Sequence, residues 1–199
     1  MRKILVLCGC FVLLASCALT TPKDTGRAFM FALPPIETAA PAKAGGDSLT
    51  VALPTAAPEL DTYRIALSRE GKRWDYYAGA RWADFLPLMV QDSLTKTLSD
   101  AKLFRTAASD MSGSRGEQIL NVDIRAFQAE YEIGSKTPVI KISLMVYLRK
   151  QGEGTPAASF DINTEAKAAQ DSLPAIQAAF ATAFSEAQKQ LVQKLGRRS

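Results

Sequence analysis

The 199-residue chain contains no histidine. That removes the commonest general base and the commonest metal ligand together, so Ser-His-Asp triads, Cys-His pairs and imidazole metal sites cannot be built from it. It also has no Walker-type glycine loop, no G-x-G-x-x-G and no C-x-x-C, which leaves nucleotide hydrolysis and dithiol redox chemistry without a motif. Cysteine is scarce: three residues, all within the first 17 positions. The leading apolar run, residues 4–14, falls short of the ~20 residues a membrane-spanning helix needs. A dense basic stripe with interleaved aromatics is missing too. The formal net charge of +4 owes much to Arg2, Lys3, Lys189, Lys194, Arg197 and Arg198 near the two ends, so no nucleic-acid partner is expected. These absences describe a non-enzyme that carries no cofactor and no metal.

What is present is an ordinary globular composition, 47% apolar and 22% charged, at a length suited to one domain. Arg2 and Lys3 precede an apolar segment that ends in Leu13-Leu14-Ala15-Ser16-Cys17, the charge-then-apolar layout of a secretory signal. The approach to Cys17 resembles the bacterial lipobox. Residues 1–16 then form a lipoprotein signal peptide that removes Cys8 and Cys10, and Cys17 is expected to be acylated as the first mature residue. The competing reading is an ordinary small-residue cleavage site, with Cys17 one more cysteine of the apolar segment. Several acyl chains, each contributing about 0.8 kcal/mol per buried methylene, would make a firm anchor. Because Ala18 rather than aspartate follows the cysteine, resemblance to sorted lipoproteins points to the periplasmic side, at the inner leaflet of the outer membrane. Residues 17–27, rich in Thr, Pro and Lys, read as a tether, and residues 28–199 as the folded domain.

Within that domain the apolar run Ala28 to Leu33, ended by Pro34-Pro35, reads as a strand, and residues 36–48 as a loop. Leu49, Val51 and Leu53 alternate with small or polar residues in a second strand. Tyr63, Ile65 and Leu67, the turn Glu70-Gly71-Lys72, and Trp74, Tyr76 and Ala78 predict a hairpin. Asp84 is placed as the N-cap of a helix whose Leu86, Val90, Leu94 and Leu98 share one face and which reaches about Lys102. Leu120, Val122 and Ile124 alternate strictly, but the phase changes to Phe127, Ala129, Tyr131 and Ile133, predicting a bulge near Ala126 and Phe127. Ile140 to Leu148 and Ala158 to Ile162 complete a meander. A last helix follows a cap at Asp171 or Ser172, with Ile176, Phe180, Phe184 and Leu191 at helical spacing. An antiparallel sheet with two amphipathic helices packed on one face, an α+β two-layer sandwich, satisfies every stripe.

Four stretches, "VALPTAAPELDTYRIALS" (51–68), "YYAGARWADFLPLMVQDSL" (76–94), "VDIRAFQAEY" (122–131) and the closing helix, together resemble the ABC-type transport auxiliary lipoprotein family, which includes the PqiC-type lipoproteins. The most specific element is "ARWADFLP", residues 80–87. The resemblance implies a non-catalytic periplasmic component of an MCE-type lipid transport system, with an MCE-domain substrate-binding protein, an ABC permease and an ATPase as partners and phospholipid as a possible ligand. An outer-membrane assembly or secretion pilot lipoprotein is the alternative that shares the anchor.

Trp82, Arg81 and Tyr77 are the candidate contacts to a partner or lipid, since a bulky aromatic beside a fixed charge is a common anchor. The competing reading has Trp82 pinning the first helix to the sheet and Arg81 capping the turn. Trp74, Tyr76, Tyr77 and Phe85 concentrate aromatic surface that could line a groove for acyl chains. Asp123, Glu130, Asp161 and Glu165 fall on polar strand positions and read as a solvated face.

Overall fold

The structure, a computed structural model, describes residues 28–36, 45–71 and 73–197; Cys17 lies outside them. Among these residues nine strands and two helices follow one another: β1 (Phe29–Phe31), β2 (Ser48–Val51), β3 (Thr55–Ala56), β4 (Arg64–Arg69), β5 (Arg73–Trp82), α1 (Leu86–Ala101), β6 (Thr106–Ser109), β7 (Gln118–Tyr131), β8 (Val139–Lys150), β9 (Ala158–Lys167) and α2 (Leu173–Gly196). A single 3-10 turn, Asp110–Ser112, follows β6.

All nine strands join one mixed sheet, with β7 as its spine. On one side β8 runs antiparallel along nearly the whole of β7, and β9 antiparallel to β8. Along the other side β2, β3 and β4 lie end to end, all parallel to β7. The chain from Ser48 to Arg69 is in effect one long strand broken twice, at Pro54 and Pro58, residues that have no amide hydrogen to give the ladder. β6 extends the sheet beyond β2 in parallel, β5 extends it beyond β4 antiparallel, and β1 lies parallel on β5.

The antiparallel sheet expected from the sequence is thus corrected to a mixed one. Alternation reports which face a side chain takes and carries no information on strand direction. β3 and β6 were not foreseen, because two and four residues of Thr and Ala hold no stripe of their own. The hairpin, the meander and both helices are where the periodicity places them. The expected bulge is present as a register shift between Ile124 and Ala126, which leaves Arg125 exposed. A second shift in the β4–β5 pairing contains Gly79, whose φ of 70° suits glycine.

Asp84 does not cap α1. The N-cap is Phe85, without a side-chain bond, and the Asp84 carboxylate accepts the Phe85 amide one residue too early, at 2.7 Å. Pro87 and Pro174 occupy the first turns of the two helices, where a missing amide hydrogen costs nothing. Leu94, Phe180 and Phe184 are fully buried. Phe180 stacks on Phe127 at 5.7 Å and meets Trp82 edge-on at 5.1 Å. The helices touch through Gln188, whose Nε2 donates to Ser93 Oγ at 2.8 Å and Thr97 Oγ1 at 2.9 Å.

Candidate functional site

The residues singled out in the sequence separate in space. Trp82 is 1% exposed and packs among Phe31, Phe127 and Phe180; it has no surface to offer a partner, which corrects its candidacy as a contact. Arg81 is exposed at the β1 side of β5, its Nη2 3.6 Å from Met30 Sδ. Phe85 is half-buried against Tyr63, ring centroids 3.9 Å apart. The carboxylates on strands meet cations: Arg125 bridges Asp123 and Asp161, at 3.5 and 3.1 Å, and Lys141 holds Glu130 at 3.2 Å. Glu165 lies beside Lys141 in the β8–β9 register. The solvated face read from the pattern is there for Asp161 and Glu165, which are exposed, while Asp123 and Glu130 are half-buried in ion pairs that the pattern did not predict.

Tyr77, with its neighbour Tyr76, leads to a cleft. An open cavity of about 450 Å³ lies where the start of β5 and the ends of β4 and β7 meet the N-terminus of α2. Its polar groups come from four distant segments. Tyr131 donates its hydroxyl hydrogen to Asp171 Oδ1 at 2.5 Å; with that hydrogen committed, Tyr77 is the donor in the 3.0 Å contact between the two hydroxyls. The Arg69 guanidinium sits over the Tyr131 ring, 4.6 Å from its centroid. Asp75 stands at the margin, its Oδ1 accepting the Tyr76 amide at 2.8 Å and its Oδ2 3.9 Å from Arg73. Leu67, Leu173 and Ile176 supply the apolar lining.

Two tyrosines in this chain are held away from ionisation. Burial chiefly, and then the bond to Tyr131, pushes the Tyr77 hydroxyl far above the ordinary tyrosine value. Tyr131 is raised in the same direction, first by burial and next by its bond to Asp171. Both therefore remain neutral hydrogen-bonding groups across the physiological range. The site can hold a polar ligand by hydrogen bonds and charge. A smaller groove of about 260 Å³ runs between the segment after β1 and α1, lined by Leu33, Pro35 and Met89 with Asp92 and Lys96 at its rim.

Sequence reasoning named Tyr77 but missed Tyr131, Asp171 and Arg69. Tyr131 was assigned to the core by its phase and Asp171 to a cap by its position. Arg69 carried no signal at all.

The architecture belongs to a recognisable group. The family model for the ABC-type transport auxiliary lipoprotein component matches residues 31–195, and the chain belongs to that family. Among solved structures it is similar to protein XCC0632 from Xanthomonas campestris, of the DUF330 family, at 26% identity and a TM-score of 0.77, over 86% of this chain and 98% of that one. An uncharacterized protein shares the fold at 17% identity and a TM-score of 0.67, covering 85% and 99% of the two chains. The hypothetical protein CT253 from Chlamydia trachomatis shares it at 9% identity and 0.52, covering 77% and 96%. No curated protein matches the sequence. Family membership makes this a transport-associated lipoprotein with an auxiliary role and a membrane-anchored periplasmic setting.

Proposed function

We propose that the protein is a non-catalytic docking or lipid-transfer component of an MCE-type ABC lipid transport system, anchored through acylated Cys17 to the inner leaflet of the outer membrane. The observation that carries this reading is the family match over residues 31–195, joined to a lipobox-like approach to Cys17 in the same chain. Part of the reading is a two-layer arrangement with both helices on one side of the sheet. Support for it comes from the Gln188 bonds between the helices and from Phe180 and Phe184, both of which pack on Phe127 of β7. The absence of histidine from the sequence and the charge pairing of the strand carboxylates support a role in binding rather than catalysis. In this scheme an MCE-domain protein, an ABC permease and an ATPase do the transport work, and the anchored domain positions them.

Affinity purification of the full-length protein from detergent-solubilised membranes, followed by mass spectrometry, tests the reading. Recovery of permease, ATPase and MCE-domain protein is the expected result. Recovery of a barrel or secretin with no transport component would replace it with the pilot-lipoprotein alternative.

A further inference from the structure

The cleft beside Tyr77 stands at an end of the sheet where several loops converge. The Glu70 amide donates to the Tyr131 carbonyl at 2.9 Å, and the Ala168 amide to the Pro138 carbonyl at 3.0 Å. These bonds bring the β4–β5 turn, the β7–β8 turn and the β9–α2 connection side by side. Two exposed large apolar residues are here: Ile133 on the β7–β8 turn, 81% exposed, and Trp74 at the start of β5, at 43%. β1 runs parallel to β5 with Phe29 beside Ala80, so the first residue of β1 is the one nearest the Arg73 end of β5. Twelve peptide steps separate Cys17 from Phe29, a reach of at most about 40 Å, longer than the length of β5 between Ala80 and Arg73. An acyl anchor on Cys17 can therefore hold this end of the domain at a lipid surface.

The chemistry of the cleft says what it would take from that surface. Among the described residues Arg69 has no carboxylate within ion-pair distance, and its guanidinium lies over the Tyr131 ring, a placement that lets its N–H groups donate to an anion. Asp171 accepts Tyr131 through Oδ1 only, which leaves Oδ2 for a cation. Arg73 offsets Asp75, so Arg69 and Asp171 remain as one positive and one negative group across a pair of neutral hydroxyls. A bare phosphate would satisfy Arg69 but face the Asp171 carboxylate, and a simple ammonium would do the reverse. A molecule carrying both charges satisfies both. We propose that the cleft binds the headgroup of a phosphoethanolamine lipid, its phosphate on Arg69 and its ammonium on Asp171 Oδ2, with Leu67 and Leu173 against the first carbons beyond the phosphate. A primary ammonium donates hydrogen bonds to the carboxylate and a trimethylammonium does not, which sets the preference for ethanolamine over choline.

This inference rests on the lipid-transport reading and names the ligand of that system's auxiliary component. The test uses the full-length protein in a non-ionic detergent, titrated by calorimetry with dihexanoyl-phosphatidylethanolamine, its choline and glycerol counterparts, and free phosphoethanolamine. The ethanolamine lipid should bind at least tenfold more tightly than the other two lipids and than the free headgroup. Arg69→Gln and Asp171→Asn should each weaken it tenfold or more with an unchanged melting temperature, and Arg105→Gln, on a surface ion pair away from the cleft, should leave it unchanged. Equal binding of the three lipids, binding untouched by Arg69→Gln and Asp171→Asn, or free phosphoethanolamine binding as tightly as the lipid would overturn the proposal. Absent lipid binding in a protein that still co-purifies with transport components removes this inference alone. Ethanolamine-lipid binding by a protein that co-purifies with a secretin removes the transport reading and keeps the site.

Discussion

Phe180 shows how much of this fold depends on single side chains. It is fully buried and meets Phe31, Trp82 and Phe127 from three different strands, so truncation opens a cavity that no one neighbour can fill. Phe180→Ala is expected to cost about 3–5 kcal/mol, read as a lowered denaturant midpoint with an unchanged slope. The two cleft tyrosines give a second test at this scale. Their hydroxyl pKa values are raised in the folded state above the unfolded value near 10. The stability they contribute is complete below that value and falls as pH rises above it, because the unfolded chain releases protons that the folded one retains. Alkaline titration followed at 295 nm should show part of the tyrosine signal appearing only as the protein unfolds. That late part should be absent from a Tyr77→Phe, Tyr131→Phe double variant.

The end of α1 offers a test among the elements. Lys102 takes the left-handed conformation, φ 52°, ψ 28°, to close the helix, its amide bonding the Ser99 carbonyl at 3.3 Å. A β-carbon is unfavourable there, and Lys102→Gly should raise stability by about 1 kcal/mol, seen as a higher melting temperature. Elements with a long stripe of their own were legible in advance: Leu86 to Leu98 for α1, Ile176 to Leu195 for α2, and the alternation of β7, β8 and β9. β3 and β6 were not, since they are strands only because β7 and β2 lie next to them. Leu53 and Ile133 were placed on apolar stripes and are 44% and 81% exposed, because each falls just past the last paired residue of its strand, where alternation no longer decides a face. The cleft was the least legible part. Arg69, Tyr77, Tyr131 and Asp171 are far apart in sequence and share no spacing, and only the parallel register of β4 on β7, which sets Arg69 beside Tyr131, brings them together.

For the molecule as a whole, the anchor is the first consequence to test. Cys17→Ala should move the protein from the membrane pellet to the soluble periplasmic fraction, and a mass unchanged from the wild type would refute acylation at this position. The broken strand along β7 carries a further consequence, for the order in which the chain becomes native. The Ser48–Glu117 and Thr55–Asp123 contacts bridge 69 and 68 residues, so each requires a long loop to close before it gains anything. The β7–β8–β9 meander and α2 are by contrast sequential neighbours. High contact order of this kind slows folding to the millisecond-to-second range. Stopped-flow refolding should show substitutions in β8 and β9 slowing the folding limb, and substitutions in β2 and β4 mainly hastening unfolding. The carboxyl-terminal half would then act as the template, and the amino-terminal half would be the last to lock into place.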